Sequence, residues 1–406
     1  MQTYAIVRRE EKLYKEVRMQ HTVYEKEMEN MVAGIDPARH SMQIALVSPS
    51  KEYFNKTFPV SPSTAEIMTS LIAKSTPVVV EGFATTGRLF FLELLNNGYS
   101  IGELNPNLGK HARILENEGH SDKSDARAIA RAGIYFSSRL SIVSLKQNEE
   151  SLAVLVKTRQ RMKKELVADM NRTHSLLSET FGTFYQNLKN KIHSCRGRTF
   201  LKSFPSLNSL LENMGTPEVL ETLDQEIINK LRLEKAWISK TLLAALEWEI
   251  TFYLEKIEFY QNKLKDIEKQ IAGLLETIDN GSLLQTVPGI GTVSAATIIA
   301  ETRGLHRFRK ESKFAAYCGL APKLWQSGQM KTKNMKRKNY NRILKGTFYN
   351  IAFTAARVNK QAKEYYQKKI NEGKHHRQAL LCLARQYCRI TYVMMKKNEA
   401  FHAINA

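Results

Sequence analysis

Val32-Ala-Gly-Ile-Asp-Pro-Ala-Arg-His-Ser-Met-Gln-Ile-Ala-Leu-Val-Ser48 sets two short apolar runs on either side of a polar turn. Runs of this length and residue type predict two strands of a hairpin, and Tyr53 to Val60 predicts a third. Helical spacing follows through Ala65 to Ile72. Pro77-Val-Val-Val-Glu81 is the kind of apolar run that a buried, parallel strand needs, and Gly82 to Gly87 supplies the turn after it. A helix from about Thr86 then leads to Tyr99-Ser-Ile-Gly102 as a last strand. A strand meander followed by alternating helix and strand predicts a mixed α/β sheet of about 110 residues.

Beyond the sheet the pattern changes period. Leu155, Met162, Leu166, Met170, Thr173, Leu177, Phe181, Phe184, Leu188 and Ile192 recur mostly at alternating three and four. Leu243, Leu246, Ile250, Tyr253, Ile257, Tyr260, Leu264, Ile267, Ile271, Leu274 and Ile278 do so more strictly. Such seams demand a partner helix, so two long coiled-coil helices are expected, paired within one chain or between subunits. Residues 196–234 between them read as a linker with turn chemistry at Ser203-Phe-Pro-Ser and Met214-Gly-Thr-Pro. The expected division is a helical extension over 1–30, the sheet domain over 31–145, the coiled coil with its linker over 146–279 and an all-helical domain over 280–406.

The charge is confined to that last part. Residues 281–406 hold 24 Lys and Arg against 5 Asp and Glu, out of 61 against 40 for the whole chain, whose net charge is +21. Segregation of this kind implies a polyanionic partner rather than lysines scattered for solubility. No stretch approaches the roughly 20 apolar residues of a spanning helix, so nucleic acid is preferred over a membrane. Four cysteines without CxxC spacing argue against structural zinc or a disulfide framework and fit a reducing cytoplasm. Val287-Pro-Gly-Ile-Gly291 between two short apolar helices reads as a helix-hairpin-helix, with Gly289 and Gly291 leaving backbone N–H groups open to a phosphate. Lys331, Lys333, Lys336, Arg337, Lys338, Arg342 and Lys345 follow without one acid between them, and a bound polyanion would relieve their repulsion. Ser327 precedes this tract in Gln326-Ser-Gly328. It has no neighbouring triad, yet a serine can attack phosphorus when a cation stabilises the charge. Cys318 is a rival nucleophile, but Phe314-Ala-Ala-Tyr-Cys-Gly reads as a packed helix end and predicts a buried structural thiol.

Four acids belong together. Asp36 and Glu81 end predicted strands, while Asp122 and Asp125 lie three apart on one helix face. Strand-end acids beside a helical pair can converge on one edge of a sheet, and clustered carboxylates call for a hard cation such as Mg²⁺. The set and its topology resemble an RNase H-like nuclease sheet.

Gly34-Ile-Asp36, Val80-Glu81 with Thr86-Gly87, and Ser121-Asp122-Lys-Ser-Asp125-Ala resemble the DEDD motif of the insertion-sequence transposases of the one-ten family. Val287-Pro-Gly-Ile-Gly291, Phe314-Ala-Ala-Tyr-Cys-Gly-Leu-Ala-Pro322, Gln326-Ser-Gly328 and Asn341-Arg-Ile-Leu344 are similar to its C-terminal transposase domain. The resemblance implies a RuvC-like domain holding Mg²⁺, or Mn²⁺, through Asp36, Glu81, Asp122 and Asp125. It also implies that Ser327 is the nucleophile that becomes linked to DNA. It further implies an oligomer whose acid site meets the serine of another subunit, a bridge RNA as guide, and action in a bacterial or archaeal cytoplasm at the nucleoid. His120-Ser121 replaces the family's usual Lys-Thr, and residues 1–30 and about 190–235 look like additions. Two other readings compete from the residues alone: a metal-dependent junction nuclease using water, and a non-catalytic nucleic-acid scaffold.

Overall fold

The computed structural model describes residues 30–81, 87–115, 119, 121–143, 146–321, 323–325, 333–335 and 339–401. Its chain forms two compact units, one gathering residues 1–149, 302–340 and 388–396, the other 150–301, 341–387 and 397–406.

The first unit is built on a six-stranded sheet ordered β3-β2-β1-β4-β5-β6. Its strands are β1 (Val32–Pro37), β2 (Ser41–Val47), β3 (Glu52–Pro59), β4 (Val78–Glu81), β5 (Ile101–Leu104) and β6 (Ser141–Ile142). β1, β2 and β3 pair antiparallel, and β4 and β5 continue parallel to β1. This is the mixed, RNase H-like arrangement expected from the sequence. Helices α1 (Pro62–Leu71), α2 (Arg88–Asn96), α3 (Pro106–Leu115) and α4 (Asp122–Tyr135) connect the strands. Because side chains alternate across a strand, β1, β2, β4 and β5 feed two cores. Ile35, Ile44, Phe58, Val78, Val80 and Ile101 pack with Met68 and Phe91 on one side. Val32, Val47, Val79 and Leu104 meet Ala112, Ala128, Ile129 and Ala132 on the other. The last strand predicted, ending at Gly102, runs instead to Leu104, and β6 adds an antiparallel edge that two residues are too few to signal.

The second unit carries α5 (Gln147–Phe181) and α10 (Lys240–Glu276), the two long helices foreseen. They run antiparallel within one chain: Arg159 pairs with Glu268 at 2.6 Å and Lys256 with Asp169 at 3.0 Å, so ascending numbers meet descending ones. The first seam ends earlier than its three-four pattern. Gly182, at φ 55°, stops α5, and Phe184, Leu188 and Ile192 are buried from short 3-10 turns and the residues between them. The segment read as a linker is folded into α6 (Cys195–Ser203), α7 (Leu207–Glu212), α8 (Pro217–Thr222) and α9 (Gln225–Leu231). Phe200, Leu201, Leu210, Val219 and Leu231 give it a core. Ser194 and Ser206 cap α6 and α7, which is why its serines looked like turn residues.

The C-terminal part is mostly helical, with α11 (Asp279–Gln285), α12 (Thr292–Thr302), α13 (Glu311–Tyr317), α14 (Arg342–Val358), α15 (Lys360–Asn371) and α16 (His376–Lys397). It is not all-helical. β7 (Lys323–Trp325) and β8 (Lys333–Met335) pair antiparallel, a hairpin hidden by the basic composition of its second arm. Among the described residues no helix is long and apolar enough to cross a membrane.

Candidate active site

Two glycines bring the acids together. Gly34 faces α4 so closely that a Cβ there would meet the backbone of Ala126 and Ala130. With no side chain in the way, the first turns of α4 lie directly against β1. Asp36 stands two residues on from Gly34 and therefore on the same face of the sheet. Glu81 ends the neighbouring parallel strand, one residue past the Ile35–Val80 pair. Asp122 and Asp125 open α4, where the helix dipole favours carboxylates. The turn is fixed by a capping box: Ser121 Oγ accepts from the Ser124 N–H at 3.1 Å and Ser124 Oγ from the Ser121 N–H at 2.8 Å. Asn55 Nδ2 donates to the Lys123 carbonyl at 2.9 Å, and Arg127 pairs with Glu52, so β3 holds the same end of the helix.

Burial and neighbouring charges act together on the two strand-end acids. Burial pushes the Asp36 carboxyl above its ordinary 3.8; the Asp125 and Asp122 carboxylates add to this and Arg113 opposes it. Burial also raises Glu81 above 4.5, against the pull of Arg113 and Lys110 and with Asp36 and Asp125 adding. Arg113 Nη1 donates to Asp125 Oδ1 at 2.8 Å. Its helix α3 approaches through the second glycine, Gly109, whose added Cβ would stand 2.5 Å from Glu81 Oε2.

The set consists of hard oxygen donors that repel one another, which suits Mg²⁺ or Mn²⁺ rather than a soft metal. Among the described residues, no three His, Cys, Asp or Glu side chains already stand in a geometry that could hold a metal ion. In this arrangement Asp125 is engaged by Arg113. Arg113, Lys110 and Gly109 were not singled out from the sequence, and Gly34 only as part of the motif that ends at Asp36. Isolated glycines inside a strand and a helical pattern were the available signal, since each marks a close approach.

Of the other candidates, Ser327, Lys331, Lys336, Arg337 and Lys338 lie outside the described residues, as do 1–29 and His120; Lys333 is placed in β8 by its backbone only. Arg342 is exposed in the first turn of α14 and Lys345 is half-buried. Asn341 caps that helix, accepting from the Leu344 N–H at 2.9 Å, and donates to Glu301 at 2.7 Å. Gly289 has φ 94°, and its missing Cβ would lie 3.0 Å from that of Ala355, so α14 explains this glycine. Gly291 faces open space at the start of α12. Cys318 is buried, as expected, and burial beside Cys388 drives its thiol far above the ordinary range, which leaves no thiolate for nucleophilic attack.

Residues 33–182, which contain all four acids, match a family model of the DEDD type described as transposase. Residues 281–367 match a second, described as the transposase IS116/IS110/IS902 family. The chain is a transposase. It belongs to the IS110 family of insertion-sequence transposases. It is 24% identical over 374 residues to the uncharacterized 43.6 kDa protein of insertion element IS110 from Streptomyces coelicolor, covering 88% of this chain and 92% of that one. Likeness to the uncharacterized 44.8 kDa protein of IS116 from Streptomyces clavuligerus is 32% over 139 residues, 34% of this chain and 35% of the other. The transposase of IS1111A from Coxiella burnetii is 22% identical over 296 residues, 72% and 71% of the two chains.

Proposed function

We propose that the protein cuts and rejoins DNA strands at the ends of an insertion sequence and at its target, through a phosphoserine intermediate on Ser327. The observation that supports this is the placing of Asp36 and Glu81 at the ends of the paired strands β1 and β4, with α4, whose first turn carries Asp122 and Asp125, packed against β1 at Gly34. Those four carboxylates would hold divalent metal, Mg²⁺ or Mn²⁺. Bound there, the metal supplies Lewis-acid polarisation of a phosphoryl oxygen.

The Ser327 hydroxyl attacks the phosphorus, forming an Oγ–P ester while one P–O bond to a deoxyribose breaks. The released sugar hydroxyl takes up a proton to balance the one lost by serine. A second sugar hydroxyl then attacks the ester and frees the serine, so the bond energy is kept and no external energy source is needed. Lys331, Lys333, Lys336, Arg337, Lys338, Arg342 and Lys345 neutralise the phosphates along the strand, and the backbone at Gly289 and Gly291, in a helix-hairpin-helix, adds contacts that read no bases. Sequence choice falls to a bridge RNA on the same basic surface. The DEDD domain spans 31–145, the coiled coil 146–279 and the serine-bearing domain 280–406. In an oligomer, the acid site of one subunit serves the serine of another, in the cytoplasm at the nucleoid.

The test is a denaturation-resistant protein–DNA adduct formed with Mg²⁺, the element's own flanking RNA and cognate DNA. The adduct should vanish in both Ser327→Ala and Asp36→Ala, and mixing the two variants should restore part of it. Cleavage without any adduct would overturn the serine step in favour of attack by water.

A further inference from the structure

We propose that Arg113 is the resident counter-cation of the acid site, and that divalent metal enters by exchange with it. This inference rests on the metal-binding reading above and assigns a role to a residue outside the DEDD quartet.

Arg113 projects from α3 with its side chain only 12% exposed, against 25% for Asp125, which it contacts. Among the described residues its hydrogen bond is the one to Asp125, and its Nε is buried with no partner. A guanidinium has five N–H donors in a fixed fork, so a buried one making a single bond is held by charge more than by matched geometry. The same helix closes on a second acid, since a Cβ at Gly109 would stand 2.5 Å from Glu81 Oε2.

The protein thus carries a fixed positive charge against one of these carboxylates. Such a charge cannot be diluted away or chelated, so it keeps the acids in place before metal arrives. It also blocks the site, because Asp125 cannot give the same lone pairs to Arg113 and to a metal. A divalent ion brings twice the charge and repels the guanidinium, so binding and release form one equilibrium. Gly109 and Lys110, on the same helix, belong to this arrangement. The missing Cβ lets α3 reach Glu81, and Lys110 is the next residue along that helix.

The distinguishing readout is metal affinity without DNA. Mn²⁺ binding to the full-length protein is measured by the electron paramagnetic resonance of the free ion, for wild type, Arg113→Gln, Arg113→Lys and Asp36→Asn. Arg113→Gln should bind Mn²⁺ at least about fivefold more tightly, the lower end of ordinary coupling between two ligands. Arg113→Lys, which keeps the charge, should stay near wild type, and Asp36→Asn should lose the site. A merely structural arginine would give the opposite sign, because its removal would loosen the acids and weaken binding. Equal or weaker binding in Arg113→Gln, with the site still lost in Asp36→Asn, overturns the exchange and leaves the metal reading intact. Absence of specific binding in all four proteins overturns both.

If Arg113→Gln does not fold, the wild type answers by itself. In arginine labelled with ¹⁵N, the Nε–H signal absent from Arg113→Lys should shift on addition of Mg²⁺ in step with saturation. A signal unmoved at saturating Mg²⁺ overturns the proposal.

Discussion

Gly109→Ala should raise stability and lower activity together. Gly109 lies inside α3 and has no positive φ, so alanine there gains about 1 kcal/mol of helix propensity. The new Cβ would stand 2.5 Å from Glu81 Oε2 and 3.3 Å from its Cδ, with Leu104 at an ordinary 3.6 Å. The obstructing atom is the end of a flexible side chain, so the carboxylate gives way rather than the helix. It must move by roughly 0.9 Å to reach an ordinary 3.4 Å contact. A misplacement of about 1 Å in a catalytic constellation can lower a rate by about 100-fold. Thermal unfolding in EDTA should therefore show an unchanged midpoint or one about 2–4 °C higher, since 1 kcal/mol moves a unit of this size by that much. Single-turnover adduct formation with saturating Mg²⁺ should fall by about two orders of magnitude. A stable variant with full activity refutes the placing of Glu81 in the metal site. A midpoint several degrees lower refutes the argument that the side chain, and not α3, yields.

Asp36→Asn should stabilise the metal-free protein at neutral pH while abolishing metal-dependent cleavage. The Asp36 carboxyl titrates above its ordinary 3.8 in the folded chain, so the folded state binds more protons than the unfolded one in the window just above that value. Stability in chelator then falls as pH rises through the window. Asparagine should flatten that part of the profile, and an unchanged urea midpoint between pH 4 and 7 in wild type and variant alike counts against the coupling. In the long-helix pair, Asp169 is fully buried between Arg172 at 2.7 Å and Lys256 at 3.0 Å. Lys256→Met leaves that carboxylate short of a partner and should cost about 2–3 kcal/mol in urea unfolding, whereas Asp169→Asn, whose cations can turn to water, should cost about 1 kcal/mol. The reverse order would show that the pair does not fix the register.

The backbone positions of the four acids were legible because each sits where periodicity locates it. Asp36 and Glu81 end apolar runs that had to be strands, and Asp122 and Asp125 share a turn of a helix opened by Ser121. Arg113 was not, because a cation in an amphipathic helix reads as a solvated face until a neighbouring sheet gives it acids to meet. The same limit applies to Phe184, Leu188 and Ile192, whose spacing continued a helical seam although Gly182 had already turned the chain. Periodicity reports which residues are buried, and it is silent on whether a helix or a series of tight turns buries them. Residues 196–234 failed for a related reason: helices of six to nine residues carry too few turns for a pattern, and their capping serines look like loop.

The first unit is sewn from three lengths of chain that are far apart in sequence, ending with residues 388–396. A ribosome building this protein makes the DEDD sheet early, but the partners that complete its unit emerge only after residues 150–301 and, for the last of them, 341–387 have been made. Arg307, which reaches Glu103 at 3.2 Å, and Tyr392, whose hydroxyl donates to the Phe308 carbonyl at 3.0 Å, are among these late arrivals. The nascent chain therefore carries its carboxylates through the making of residues 150–301, before the segment that contains Ser327 exists. A product truncated before the last helix lacks part of the same unit. Segments far apart in sequence must therefore all be present before this unit is whole.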